Sequence, residues 1–389
     1  MKKKKICVVV NSRANYGRIK SFLNAAKQSE KLELFIVAGA SALLYRFGEV
    51  IKEMEKDGFP PNFIMHSAVE GKGLSPMAKT TGLSIIEMAT ILENSKPDIV
   101  LTVADRYETL STAVAASYMN ILVAHTQGGE VTGSIDENVR HAITKLSHIH
   151  FPATERAREF LIRMGEEKKR IFLTGCPAMD LLKENDLELP NDIFTKNKGV
   201  GSVLDPNEEY IICLQHPVTT EYINVENQIE ETLNAIKKIT IIKPIQFVFL
   251  WPNIDAGSDE ISKKIRQFRE IENFSNIQFF KNFSPLDYAA LLKNCSCIMG
   301  NSSSGIREAS FLGIPCVNIG NRQMGRERGN NVIDVPHESE SITNAVLKQI
   351  DIKKYPQSKI FGNGEAGKEI AKVLSEYDFE LIKKLNYLD

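Results

Sequence analysis

Short, almost continuously apolar runs alternate with amphipathic segments along the whole chain. KICVVV (5–10), LELFIVAG (32–39), DIVLTVA (98–104), NILVAHT (120–126), HIHFPAT (148–154) and RIFLTG (170–175) read as strands, as do YIICLQH, IQFVFLW, IQFFKNF, CSCIMGN and PCVNIG after residue 205. Strands that are apolar at successive positions are buried on both faces, which points to a parallel sheet covered by helices. The segments between them have helical spacing. In GRIKSFLNAAKQ, Ile19, Phe22, Leu23 and Ala26 share one face at the i, i+3, i+4, i+7 positions. The pattern predicts an α/β fold of the doubly wound kind.

The alternation lapses between FLTGCPAMDLL and YIICLQH, where the chain is rich in Asn, Asp, Gly and Pro. A polar, aperiodic stretch of this kind reads as a linker. The expected organisation is a first Rossmann-like domain over 1–185, a linker over 186–206, and a second Rossmann-like domain over 207–370. A C-terminal helix is expected over 371–389. Ligands of such sheets bind beyond the carboxyl ends of the strands, so the site is expected in the cleft between the domains.

Composition narrows the function classes. A formal net charge of -1 over 389 residues gives no basic footprint for nucleic acid or a membrane surface. No run approaches the roughly 18 apolar residues of a membrane helix. The six cysteines are scattered, several in apolar runs, as expected of buried thiols in a reducing cytoplasm. CSC (295–297) lacks a second thiol pair at zinc spacing, and His125, His148 and His150 form no ligand motif, so no metal is expected.

Polar residues just after strands lie where the chemistry is expected. VVVNSRANYGR has no G-x-G-x-x-G, which speaks against a dinucleotide cofactor. Its Arg13 and Arg18 suit an anion, though exposed loop arginines read the same way. Asp105, in LTVADRYETL, is either a helix N-cap or a general acid or base. HTQGGEVTGSIDENVRH (125–141) places Gln127, Glu130, Asp136, Glu137 and Arg140 behind two glycines. With a helix starting near Ser134, Asp136 and Arg140 become i, i+4 neighbours, and a surface salt bridge between them is the plain alternative. His216 follows the first strand of the second half, and Asn253, Asp255 and Ser258 follow the next. The most specific turn is GNSSSGIREASFLG. Ser302, Ser303, Ser304 and Gly305 at a helix start suit a diphosphate, with Glu308 one turn on for ribose hydroxyls. Arg322, Arg326 and Arg328 follow in a Gly-rich loop.

These turns resemble the UDP-N-acetylglucosamine 2-epimerase family, in particular its hydrolysing branch. The resemblance covers about the first 340 residues through SRANYG, ADRYET, GGEVTGSIDENVRHAITKLSHIHFPATERA, LQHPVTTE, PNIDAGS and GNSSSGIREASFLGIPCVNIGNRQMGRERGNNV. It implies a glycosyltransferase-B-like fold of two Rossmann-like domains with an interdomain active-site cleft. It also implies elimination to a 2-acetamidoglucal followed by hydration with inversion at C2, releasing N-acetylmannosamine and UDP without a cofactor. Asp105 and Asp136 then transfer protons, His216 and Arg140 orient or polarise the substrate, and Glu130 and Gln127 complete the catalytic set. Arg13, Asn253, Phe283, Ser302, Ser303, Ser304, Gly305, Glu308 and Arg322 hold the nucleotide-sugar. A homodimer or homotetramer is the expected assembly.

One position departs from the pattern. Some members carry glutamate in H-x-E-G-G where this chain has Gln127, which cannot act as an acid or base. Relatives in this branch also act on 2,4-diacetamido sugars carried on UDP or GDP, and that substrate class is the first alternative. A glycosyltransferase would need an acceptor site and would tolerate loss of Asp105 or Asp136; a non-catalytic nucleotide-sugar sensor would need neither.

Overall fold

A computed structural model describes residues 2–44, 50–71, 74–103, 105–252, 255–272, 274–384 and 386. The chain forms two units. The first comprises residues 1–131, 135–184 and 360–389, and the second comprises 132–134 and 185–359.

The first unit is built on a parallel sheet of β1 (Lys4–Val10), β2 (Leu32–Gly39), β3 (Phe63–Met65), β4 (Ile99–Val103), β5 (Leu122–Thr126) and β6 (Ile149–Phe151). Its order, β3-β2-β1-β4-β5-β6, reverses direction between β1 and β4, which is the Rossmann arrangement with its ligand crevice at the switch point. The continuous apolar runs have a direct cause. Ile6, Val8 and Val10 join a core with Phe22, Leu23, Ile370 and Leu374 on one face. Cys7 and Val9 join Met88, Ala113 and Ile143 on the other.

The second unit has β7 (Val200–Gly201), β8 (Tyr210–Leu214), β9 (Gln246–Leu250), β10 (Ile277–Phe280), β11 (Cys297–Gly300), β12 (Cys316–Ile319) and β13 (Val332–Val335). The order is β13-β12-β11-β8-β9-β10-β7, all parallel except the short β7, which pairs antiparallel with β10 at the edge. None of the described helices is long and apolar enough to cross a membrane.

Three expectations change. The stretch over 186–206 is part of the second unit, because Leu187, Ile193, Phe194 and Leu204 are buried within its polar surroundings. Phe194 packs on Tyr210 and Phe280. RIFLTG forms only a single bridge, Ile171 to His150, before Gly175 turns away at φ 86°. The C-terminal helix runs over Ala366–Glu376, capped by Asp180 through the amides of Ala366 and Gly367 at 3.0 and 2.7 Å. Over 377–384 the chain has no helix or strand, and the carbonyls of Glu380 and Ile382 accept from Arg170 at 3.0 Å each.

Candidate active site

In the first unit, the site residues gather at the carboxyl ends of β1, β4 and β5. Ser12 caps a short helix over Arg13–Gly17, so Arg13 opens the turn. The Asn15 amide donates to Val103 O at 3.1 Å and ties that turn to the end of β4, two residues before Asp105. Asp105 forms an ion pair with Arg140, and the second arm of the guanidinium donates to Glu130 O at 2.7 Å. Arg140 is fully buried. Burial works to lower its pKa, but the Asp105 and Glu130 carboxylates more than offset this and the pKa is raised. Arg140 is therefore a fixed cation at the centre of a carboxylate cluster. Asp136, on the same helix, also raises the Arg140 pKa by its charge; nearer the surface, His141 faces Glu137 at 3.6 Å.

Asp136 is the first residue of the helix Asp136–Leu146 and is partly exposed. Its carboxylate sits at the positive end of that helix. The loop ahead of it is tightly built. A Cβ at Gly129 (φ 79°) would lie 2.2 Å from Ala157 O, so only glycine fits there. Residues 132–134 belong to the second unit, where the Gly133 amide donates to Arg322 O at 3.2 Å.

Gln127 is buried with φ 62°, an uncommon conformation for a residue with a Cβ. Its amide donates to Cys176 Sγ at 3.4 Å. His125, His148 and His150 each have a hydrogen-bonding neighbour: His125 lies 3.4 Å from Thr144 Oγ1, His148 Nδ1 accepts from Val123 N–H at 3.1 Å, and His150 meets Glu166 at 3.0 Å.

In the second unit, the corresponding turns follow β8 and β11. Asn301 reads the main chain of His216 in both directions: His216 N–H donates to Asn301 Oδ1 at 2.7 Å and Asn301 Nδ2 donates to His216 O at 2.8 Å. The backbones come this close because Gly300 (φ 128°) has no Cβ, which would sit 2.1 Å from Leu214 O. Asn301 O accepts from Gln323 Nε2 at 2.9 Å and from Arg322 Nη1 at 3.3 Å, which brings Arg322 to the serine turn. Ser302 caps the turn through Ser304 N–H, and Tyr288 donates to Ser304 Oγ at 2.7 Å. Glu308 holds a buried Oε2 that accepts no hydrogen bond from any described residue, as a carboxylate awaiting a hydroxyl donor would.

Some candidates land elsewhere. The single helix expected after NSSSG is two short ones, Ser303–Ile306 and Glu308–Leu312, so the turn presents individual amides and hydroxyls and no long helix dipole. Arg328 pairs with Asp334 and donates to Gln323 O, and Arg326 donates to Gln323 Oε1 at 2.9 Å, so both brace their own loop. Phe283 is buried, its ring centroid 4.7 Å from that of Phe280. Asn253 lies outside the described residues. Asn301, Gln323 and Cys176 were missed as site residues; the only sequence trace of the first was the Asn leading the serine run.

Two Rossmann-type units, one holding an arginine-centred carboxylate cluster and the other a serine-rich turn, define an enzyme acting on a nucleotide-sugar. The fold is that of the Methanocaldococcus jannaschii UDP-GlcNAc 2-epimerase solved with UDP-GlcNAc and UDP, with a TM-score of 0.79 at 21% identity over 95% of this chain and 99% of that one. Residues 24–375 match the family model described as UDP-N-acetylglucosamine 2-epimerase, and the chain belongs to that family. It is 33% identical, over 95% of both chains, to a Legionella pneumophila UDP-N,N'-diacetylbacillosamine 2-epimerase (hydrolyzing). It is also 33% identical to a Campylobacter jejuni GDP/UDP-N,N'-diacetylbacillosamine 2-epimerase (hydrolyzing), over 86% of this chain and 85% of the relative.

Proposed function

We propose that the protein is a hydrolysing 2-epimerase whose substrate is a UDP- or GDP-linked 2,4-diacetamido-trideoxyhexose of the diacetylbacillosamine type. The two relatives at 33% identity, both named for that sugar, support this substrate over UDP-N-acetylglucosamine. The observation that carries the chemistry is the buried Arg140 binding Asp105, with Asp136 opening the same helix.

In this reading a carboxylate takes the C2 proton as the C1–O bond to the diphosphate breaks, leaving a C1=C2 double bond and free nucleoside diphosphate. Water then adds through oxygen at C1, and a proton returns to the opposite face of C2. The sum is nucleotide-sugar plus water to inverted free sugar plus nucleoside diphosphate. Two faces of one carbon call for two proton-transfer groups. Asp105, ion-paired and therefore an acceptor, is the base. Asp136, at the helix start, returns the proton. Glu130 lies beside Arg140, and Gln127 takes no part in proton transfer. On the second unit, His216, Arg13's counterpart in charge Arg322, and the Ser302–Gly305 turn stabilise the departing diphosphate, while Glu308 accepts from ribose. Arg13, Asn253 and Phe283 complete the substrate contacts.

The test is incubation in D₂O with UDP- and GDP-diacetylbacillosamine and with UDP-N-acetylglucosamine. Expected are nucleoside diphosphate, free 2-epimerised diacetamido sugar and one deuterium at C2. Diphosphate release without deuterium at C2 would discard the elimination route. Turnover of UDP-N-acetylglucosamine alone, yielding N-acetylmannosamine, would return the substrate to the one for which the family is named. We further read the enzyme as a cytoplasmic homodimer or homotetramer, which light scattering of the purified protein tests.

A further inference from the structure

The segment after the last described helix reaches, through Lys383, the helix that holds Asp136 and Arg140. After the helix Ala366–Glu376, Tyr377 and Phe379 pack around Phe172, with ring centroids 5.2 and 6.1 Å away. Arg170 holds the carbonyls of Glu380 and Ile382, and Asn386 N–H donates to Gly165 O at 2.8 Å. Between these anchors, Lys383 turns inward with its side chain 10% exposed. Its ammonium donates to Thr144 O at 3.0 Å, Lys145 O at 3.1 Å and Ser147 O at 2.8 Å, and meets Glu166 Oε2 at 2.6 Å.

Those three carbonyls belong to the last turn of the helix Asp136–Leu146 and its C-cap, where intrahelical donors run out, although Thr144 O also accepts from the Ser147 amide at 3.1 Å. A cation at that end also complements the helix dipole. The anchoring is deliberate in its chemistry. Glu166 is fully buried and also meets His150 at 3.0 Å and Lys145 at 3.0 Å, so a fixed carboxylate holds the Lys383 ammonium together with the carbonyls. An α-helix is stiff over so few turns, and a shift or rotation at one end reappears at the other. None of Lys383, Glu166, His150 or Arg170 has a part in the proposed chemistry.

We propose that Lys383 is a positioning residue for the reaction: by clamping the C-terminal end of the helix Asp136–Leu146, it sets the axial placement and rotation of Asp136 and Arg140. The proposal rests on the function argued above for those two residues. Misplacement of a reacting group by about 1 Å costs on the order of a hundredfold in rate, so a loosened clamp acts on turnover more than on substrate affinity.

The experiment compares Lys383→Met, Lys383→Arg and the double variant Lys383→Met/Glu166→Gln with the full-length wild-type chain. The double variant removes the buried charge that the single substitution would strand, and keeps the comparison readable if Lys383→Met does not fold. Expected in the folded Met variants, well below their melting temperatures, is a kcat reduced about 10- to 100-fold, with KM and UDP affinity within about twofold. Lys383→Arg should recover most of the rate. A kcat within twofold of wild type in folded enzyme would mean that Lys383 only stabilises the fold, and would overturn the proposal. Amide hydrogen exchange separates this from failure of the functional reading. Whatever the substrate, exchange over residues 136–147 must accelerate in the Met variants while that of the helix Lys20–Gln28 stays unchanged; equal exchange in both would also overturn the proposal.

Discussion

Arg140 and Asp105 form an ion pair in which the arginine has no solvent-exposed surface. A guanidinium so enclosed is tolerated because both of its arms have acceptors, the Asp105 carboxylate and Glu130 O. Removing one partner of such a buried pair typically costs about 3–5 kcal/mol, because the other charge is left uncompensated. Arg140→Met should therefore lower stability by about that amount and abolish turnover. Asp105→Asn keeps the shape and one acceptor, so it should lose turnover with a much smaller stability change. Thermal unfolding beside a deuterium-incorporation assay distinguishes the two, and an active Asp105→Asn enzyme would remove Asp105 from the base role.

Asn301 is the hinge of the second unit's candidate site, since its amide satisfies both main-chain groups of His216. Asn301→Ala breaks both bonds and frees the β8 turn. We expect UDP affinity to fall at least about tenfold, a change of about 1.4 kcal/mol, with the fold of the first unit unaffected. Calorimetric titration with UDP measures it directly; unchanged affinity would separate His216 from nucleotide binding.

The buried environment of Gln127, beside the Cys176 thiol, is unsuited to a carboxylate. Gln127→Glu thus should not restore a missing catalytic acid. It should destabilise the fold by about 1–3 kcal/mol by placing an ionisable group at a position that is 1% exposed, which chemical denaturation would show. A variant more active than wild type would contradict this.

Stability should fall on mild acidification. Burial, together with the positive charges of Lys383 and Arg170, lowers the pKa of His148 from 6.5 to about 4. Between those values the unfolded chain binds more protons than the folded one, so unfolding free energy rises with pH from about 4 to about 6.5 and is fully present above. The contribution is at most about 3 kcal/mol. His150 and Lys383 are also lowered, chiefly by burial, and Glu166 is brought down to about 2, its bonds to His150 and Lys383 outweighing the opposing effect of burial. Glu166 extends the loss of stability below pH 4.5 with the same sign. Melting temperatures of wild type and His148→Asn from pH 4 to 7 check it: the variant should show a shallower slope between pH 4 and 6.5.

What could be read from the sequence follows from how each signal is encoded. The apolar runs of β1, β4 and β5 and the polar residues just after them were legible because burial on both faces leaves no polar alternation to misread. The 186–206 stretch was misleading because only Leu187, Ile193, Phe194 and Leu204 are buried there, at no regular spacing. The partner of Arg140 was not legible from local spacing. Asp136 is four residues away on the same helix, whereas Asp105 reaches Arg140 only because β4 and β5 are adjacent in the sheet. The bracing of Arg326 and Arg328 by Gln323 and Asp334 depends in the same way on loop contacts that a linear reading does not contain.

The nesting of the chain has a consequence for how the protein is made. The first unit needs residues 360–389, whose Ile370 and Leu374 fill its core against Phe22 and whose Gly367 lies against the backbone of Ser21 and Phe22. Synthesis proceeds from the amino end at about 5–20 residues per second and domains tend to fold as they emerge. Here the unit that begins first can finish only after residues 360–389 have been made. The second unit has all of its residues by 359, so it is able to fold ahead of the first. A nascent chain that still lacks residues 360–389 would thus carry a folded second unit and an exposed, unfinished first-unit core at β1 and β2, and that intermediate is where chaperones would be needed.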